Sequence, residues 1–284
     1  MTDDAAAIAL VGLGNLGLPM ANRLRERGHE VVGVDLDPDR RAAFAAGGGS
    51  ATTLDESSPR SVLCLVVPDD QAVTALTEPG RLAGLVRPGG LILMHSTVSP
   101  ALAARLGADC RSVGYGFVDA PVSGGAERAA DGSLTIMVGA EADDHDRAGP
   151  LLGDLGSDVI HLGPPGAGSA AKLANQLMLF ATLAGAYEAM DLARGFGLTE
   201  EAVLRVAGTG TARSWVTDQW GFFDGLTRDY DAAGVTDDHR PWAKDPAQAV
   251  RAAGELGLDA PFAAMITERL PGLIRRHADR RGES

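Results

Sequence analysis

Lys172 lies three residues before Asn175 in the apolar segment GSAAKLANQ, residues 168 to 176, of a chain with two lysines among its 25 basic residues. Ser169, Lys172, Asn175 and Gln176 recur at spacings of three and four, which places them on one face of a helix. A primary amine beside a reacting oxygen can take up or return a proton, and a nearby amide can orient the group that reacts. Apolar helices also carry lysines that merely stretch to solvent, so spacing alone leaves both roles open. The scarcity of lysine weighs toward chemistry.

Two further stretches bear on ligands. In DAPVSGG, residues 119 to 125, the small residues Ser123, Gly124 and Gly125 can leave successive N–H groups facing one concavity, an anion nest. A plain structural turn fits the same letters. GLGNLG, residues 12 to 17, follows an apolar run and opens a helical one. Gly12 permits a tight turn, Gly14 lets backbone approach a pyrophosphate and Gly17 lets the helix pack close, with Leu13, Asn15 and Leu16 completing the turn. Asp35 ends the next apolar run, where a carboxylate accepts from the ribose 2′-hydroxyl of NAD and repels the 2′-phosphate of NADP. NAD is the expected cofactor. NADP stays second, because Arg40 and Arg41 could reach a phosphate, although DPDRRAAF suggests they lie on a solvated helix face.

The elements that must position these groups alternate. IALVG, EVVGVD, SVLCLVV, GLILMHS, FVDAP, LTIMVG and DVIHLG read as strands, with helical segments such as LGLPMANRLRERGH and SPALAARLGADC between them. That rhythm predicts βαβ units and a mostly parallel sheet. After GPPGAG it stops, and SAAKLANQLMLFATLAGAYEAMDLARGFG holds helical periodicity for nearly thirty residues. The expected class is α/β followed by all-α, with a dinucleotide-binding domain over 1–163 and an all-helical substrate and dimerisation domain over 164–284. Turns are expected at 207–211 and 231–241. The long helix is apolar on more than one face, so it should be covered by its own domain and by a neighbouring surface.

A net charge of −13 with no basic cluster argues against nucleic acid, but not against a small anionic substrate at a local site. Cys64, in SVLCLVV, and Cys110 read as inert core residues. The acidic start lacks the basic flank of a secretory signal, and the longest uncharged helical stretch, from Leu173 to Tyr187, is too short to span a membrane, so a cytoplasmic protein is expected. The six histidines show no metal-ligand spacing.

GLGNLG, VVPDDQAV, HSTVSP, DAPVSGG, GSLTIMVG, GAGSAAKLANQ, ARSW and WAKDPAQAV, in this order from about residue 8 to 265, resemble the β-hydroxyacid dehydrogenases. The resemblance implies a Rossmann domain followed by a helical domain, in homodimers or homotetramers. It also implies NAD(P)-linked oxidation of a short 3-hydroxy acid, or reduction of the matching semialdehyde. Lys172 becomes the general acid/base, Ser123, Gly124 and Gly125 the carboxylate cradle, and Asn175 a substrate-orienting amide. Val67, Pro68 and Thr97 would line the cofactor, and Lys244 would close the site near the nicotinamide and its ribose.

There are departures. His95 stands where the family commonly has an acidic residue, either as a rival proton carrier or as a strand-end histidine bonded to backbone. The segment DYDAAGVTDDHRPWAKD, with Tyr230, His239, Arg240 and Trp242 close to Lys244 in sequence, either shapes the pocket or is an exposed loop, and the loop is favoured. LIRRHADRRGES replaces the family's small, acidic ending. Arg128 is either a second substrate contact or a surface residue. The rival functions are an imine reductase, which resembles the same scaffold but prefers NADPH and carries aspartate or tyrosine in place of Lys172, and a non-catalytic cofactor-binding protein. Nucleotide-sugar dehydrogenases need a cysteine in the helical domain, and none follows Cys110.

Overall fold

The computed structural model describes residues 6–282, so the acidic start and the last two residues lie outside it. The chain divides into two compact units, Met1–Lys172 and Leu173–Ser284. The division falls inside one long helix.

The first unit is built on a sheet. Strands β1 (Ala7–Val11), β2 (Glu30–Val34), β3 (Ser50–Thr52), β4 (Arg60–Leu65), β5 (Val86–Met94) and β6 (Gly116–Asp119) run parallel in the order β3-β2-β1-β4-β5-β6. Strand β7 (Val122–Ser123) and β6 both pair antiparallel with β8 (Leu134–Ala140), and β9 (Gly156–Gly163) pairs parallel with β8. Helices α1 (Gly17–Glu26), α2 (Pro38–Ala46), α3 (Asp70–Thr77), α4 (Pro79–Leu85), α5 (Pro100–Ser112), α6 (Gly125–Asp131) and α7 (Ala142–Leu155) connect the strands. This is the doubly wound arrangement, whose ligand crevice lies outside the carboxyl ends of the strands where their order reverses, between β1 and β4.

Alternation along the strands explains why they read as unbroken apolar runs. Ile8, Leu10, Cys64, Leu91 and Leu93 face a core with Met20 and Leu24 of α1 and Leu151 and Leu155 of α7. Ala9, Val11, Leu63, Leu65, Ile92 and Met94 face the opposite core, with Val73, Leu82, Leu85, Leu102 and Leu106. Both faces are covered, so neither set of positions can be polar.

The long helix α8 (Ala167–Gly195) has 29 residues, about 44 Å at 1.5 Å per residue. The second unit continues with α9 (Glu200–Thr209), α10 (Trp215–Asp218), α11 (Phe222–Ala232), a short 3₁₀ turn (Asp237–His239), α12 (Pro241–Glu255) and α13 (Pro261–Gly282), with no strand among its described residues. Phe180, Leu183, Tyr187, Phe223, Trp242, Ile266 and Leu270 form its core. Met178 and Leu192 of α8, both 66% exposed, lie outside that core. No helix among the described residues is long and apolar enough to cross a membrane.

Two sequence expectations need correction here. The turn expected at 207–211 begins later, because α9 continues to Thr209 and ends at Gly210. The segment around 230–242 is not simply an exposed loop: Trp242 is 2% exposed and packs against Phe223 and Tyr230. Buried Arg240 ties the segment down through Asp231 at 2.6 Å and the Val235 carbonyl at 2.9 Å. The basic C-terminal stretch is the end of α13, with Leu273, Ile274, His277 and Ala278 on its buried side.

Candidate active site

The glycine-rich turn separates glycines needed by the fold from one that the fold does not need. Gly12 has φ +100, and a Cβ there would lie 2.1 Å from the Val66 carbonyl oxygen. A Cβ on Gly17 would lie 1.8 Å from the Gly12 carbonyl oxygen. At Gly14 the nearest atom would be Arg40 Nη1, 3.7 Å away, so the protein itself leaves room for a side chain there. Open backbone at that point suits the approach of a pyrophosphate.

Asp35 splints this turn: Oδ2 accepts from the Leu13 N–H at 2.6 Å and Oδ1 from the Asp37 N–H at 2.9 Å. Leu13 is buried, Asn15 is exposed and Leu16 caps α1. Arg40 lies on the solvated face expected for it, with 44% of its side chain exposed, whereas Arg41 is half-buried. Arg41 Nη1 donates to the Asp35 and Leu36 carbonyls at 2.7 and 2.9 Å, and Arg40 Nη1 lies 3.8 Å from Asp35 Oδ2. The carboxylates and carbonyls at the end of β2 are the acceptors within their reach. A free-edged glycine, a helix N-terminus and a buried carboxylate together fit a dinucleotide.

Beyond β4 and β5, the Val67 N–H donates to Ser96 Oγ at 2.8 Å, and Ser96 Oγ donates to the Leu65 carbonyl at 3.3 Å. This tie holds Val67 and Pro68 beside the segment carrying Thr97, at the carboxyl edge of the sheet. His95 is 2% exposed, with Nδ1 2.8 Å from the Ala120 carbonyl oxygen. A carbonyl only accepts, so the proton is on Nδ1. Burial lowers its pKa to about 4, although the bond to Ala120 opposes the shift. His95 is therefore a neutral strand-end histidine bonded to backbone.

Gly124 and Gly125 have φ +138 and +73, and a Cβ on Gly124 would lie 2.9 Å from Cβ and Cδ of Arg128. The Arg128 stem thus packs against the turn that follows Ser123, while its guanidinium lies 3.8 Å from Asp158. Asp119, fully buried at the end of β6, is a residue that sequence reasoning missed. Its Oδ2 accepts from the Gly166 and Ser169 N–H groups at 3.0 and 2.8 Å, and Oδ1 accepts from the Ser169 hydroxyl at 2.7 Å. Burial pushes its pKa up to about 6, with those hydrogen bonds opposing. This carboxylate anchors the first turn of α8, and Lys172, one turn further along, is 8% exposed rather than a surface residue.

In the second unit, Asn175 is half-buried, and its Nδ2 donates to Gln176 Oε1 at 3.3 Å. Gln176 Nε2 donates to Asp245 Oδ2 at 2.6 Å, and the Lys244 ammonium lies 3.7 Å from Asp245 Oδ1. Elsewhere in this unit His277, 4% exposed, has Nδ1 2.7 Å from Asp224 Oδ1 and Nε2 3.2 Å from Glu200 Oε1. Burial opposes its charge, but the two carboxylates outweigh burial and hold it above the ordinary histidine value. The Trp220 indole N–H also donates to Glu200, at 3.0 Å. Cys64 and Cys110 are buried, and burial pushes both thiols up to about 12, which makes them inert. Among the described residues no group of three or more His, Cys, Asp or Glu could hold a metal ion.

A doubly wound unit with this turn, followed by a helical unit, defines an NAD(P)-linked oxidoreductase. Residues 7–163 match the NAD binding domain of 6-phosphogluconate dehydrogenase, and residues 166–283 match the family described as NAD-binding of NADP-dependent 3-hydroxyisobutyrate dehydrogenase. Human mitochondrial 3-hydroxyisobutyrate dehydrogenase is 32% identical over 227 residues, 77% of this chain and 67% of that protein. An NAD-dependent L-serine dehydrogenase of Pseudomonas aeruginosa is 34% identical over 233 residues, 78% of each. The solved structure of the Mycobacterium tuberculosis 3-hydroxyisobutyrate dehydrogenase with L-serine superposes with a TM-score of 0.78 at 28% identity, covering 97% of this chain and 96% of that one. The chain belongs to the β-hydroxyacid dehydrogenase family and is an NAD(P)-dependent dehydrogenase of the hydroxyacid class.

Proposed function

We propose that the chain catalyses reversible hydride transfer between NAD and the hydroxyl-bearing carbon of a short 3-hydroxy acid, with Lys172 as general acid/base. The observation that carries this reading is a buried lysine in a helix whose first turn is clamped by Asp119. A nicotinamide dinucleotide, held by residues 12–17 and by Asp35, Val67, Pro68, Thr97 and Lys244, would supply the hydride acceptor. The Lys172 amine takes the hydroxyl proton as the alcohol carbon is oxidised, and returns it when a semialdehyde is reduced. Ser123, Gly124 and Gly125 bind the substrate carboxylate, and Asn175 orients the reacting end. Asp35 supports NAD over NADP, with Arg40 and Arg41 keeping NADP as the second choice.

The relatives named for 3-hydroxyisobutyrate and L-serine support a small 3-hydroxy acid as substrate. An imine reductase role is weaker, because that class carries aspartate or tyrosine where Lys172 stands here. We propose a cytoplasmic homodimer or homotetramer as the working form. Exposed Met178, Leu192, Leu256, Leu258 and Phe262 in the helical unit support a covering subunit.

The test is nicotinamide absorbance during turnover of a panel of short 3-hydroxy acids and semialdehydes, with NAD and NADP side by side. Lys172→Ala should lower kcat about 10²- to 10⁴-fold while cofactor still binds. Equal rates in parent and variant would remove Lys172 from the mechanism.

A further inference from the structure

We infer that Asp245 is a positioning residue: through Gln176 its carboxylate fixes which way round the Asn175 amide is held, while its other oxygen faces the Lys244 ammonium. The inference rests on the reading that Asn175 and Lys244 serve the reaction.

The argument is one of polarity. Asp245 is 2% exposed and Gln176 6% exposed. A carboxylate offers acceptors only, so the Gln176 amide must turn its nitrogen to Asp245, as the 2.6 Å contact to Oδ2 records. That turns Gln176 Oε1 outward, and an amide oxygen also only accepts. Asn175 must therefore bring its nitrogen to Gln176, at 3.3 Å. Asn175 Oδ1 and the second Nδ2 hydrogen are then left in fixed places for a substrate. One charged group, set by α12, thus specifies the direction of two amides on α8, neither of which could choose an orientation by shape alone.

The second oxygen has a different occupant. Asp245 Oδ1 is buried and receives no hydrogen bond among the described residues, and the Lys244 ammonium lies 3.7 Å away. That separation is longer than a hydrogen bond but within Coulomb reach, so the same carboxylate biases the lysine that follows Trp242. Replacing it with leucine, which is close in size and offers no acceptor, should free the amides and the ammonium together without opening a cavity.

The test uses the full chain with Asp245→Leu, Gln176→Met and the double variant, after thermal melts confirm that each folds. Each single change should lower kcat about 10- to 100-fold with KM altered much less, because orientation rather than affinity is lost. The double variant should be no slower than the worse single one, since both act through one relay. Independently of turnover, the Asn175 side-chain ¹⁵N–H₂ signals should be protected from solvent exchange in the parent and lose that protection in both single variants. Multiplying kinetic effects, or unchanged Asn175 protection in Asp245→Leu, would overturn the relay. Full activity in Asn175→Ala would also overturn it, as an amide with nothing to orient; Asn175 protection that is present in the parent and lost in the two single variants would then locate the failure in the role given to Asn175 rather than in the hydrogen bonds.

Discussion

The sheet unit and the helical unit assemble their buried polar groups from different materials. In the sheet unit each important side chain accepts from backbone: Asp35 from Leu13 and Asp37, Ser96 from Val67, and Asp119 from Gly166 and Ser169. In the helical unit the links beside Asn175 and around His277 have side chains at both ends: Gln176 with Asp245, and His277 with Asp224 and Glu200. A backbone donor survives every substitution except proline, so the sheet unit depends on glycines that let the backbone reach its place. A side-chain link can be deleted one partner at a time, so the helical unit should lose function in graded steps.

The largest expected effect tests the first half of that contrast. Gly17→Ala puts a methyl group into the Gly12 carbonyl and should cost about 3 kcal/mol or more, read as a large fall in Tm. Gly14→Ala should leave Tm nearly unchanged and weaken NADH binding about tenfold or more, read by fluorescence titration. Equal losses of Tm would break the distinction between a glycine the fold needs and a glycine the ligand needs.

Asp119→Asn comes next. Its amide oxygen can keep the Gly166 and Ser169 N–H bonds and its N–H₂ can turn to the Ser169 hydroxyl, so the loss is that of charge-assisted bonds in a fully buried site, at a cost of about 1–2 kcal/mol. Through the first turn of α8, kcat should fall about tenfold, in a steady-state assay with saturating cofactor. Unchanged kcat with lowered Tm would show that the carboxylate serves stability alone.

The smallest effect belongs to His277. Its native pKa lies above the unfolded value of about 6.5, so its stabilising contribution is complete below that value and fades as pH rises through the raised native value. Tm should therefore decline across that window in the parent, and His277→Gln should flatten the decline. An identical slope in the variant would mean that this network does not titrate as a unit.

Legibility follows the same division. The glycine turn and Asp35 lie within 24 residues of one another, and strand alternation and helical periodicity are local, so the two fold classes and the Lys172–Asn175 face could be read directly. Asp119 and Ser169 are 50 residues apart, Gln176 and Asp245 69, and His277 and Glu200 77. Only tertiary packing brings these together, and no local pattern announces it. DYDAAGVTDDHRP misled for a related reason. Its polar letters suggest solvent, yet Asp231 pairs with the Arg240 guanidinium, which then lies over the Trp242 ring.

The scarcity of lysine has a practical consequence at the bench. An acylating reagent directed at amines meets two side-chain targets in the whole chain. Lys244 keeps 21% of its side chain exposed and Lys172 is 8% exposed overall, so Lys244 should label first and Lys172 slowly. Attachment of the enzyme to a resin through side-chain amines would consume the two lysines to which the proposed mechanism gives roles. The same economy makes labelling informative, since the drop in acylation on adding cofactor or acid is measured against no background of other lysine side chains.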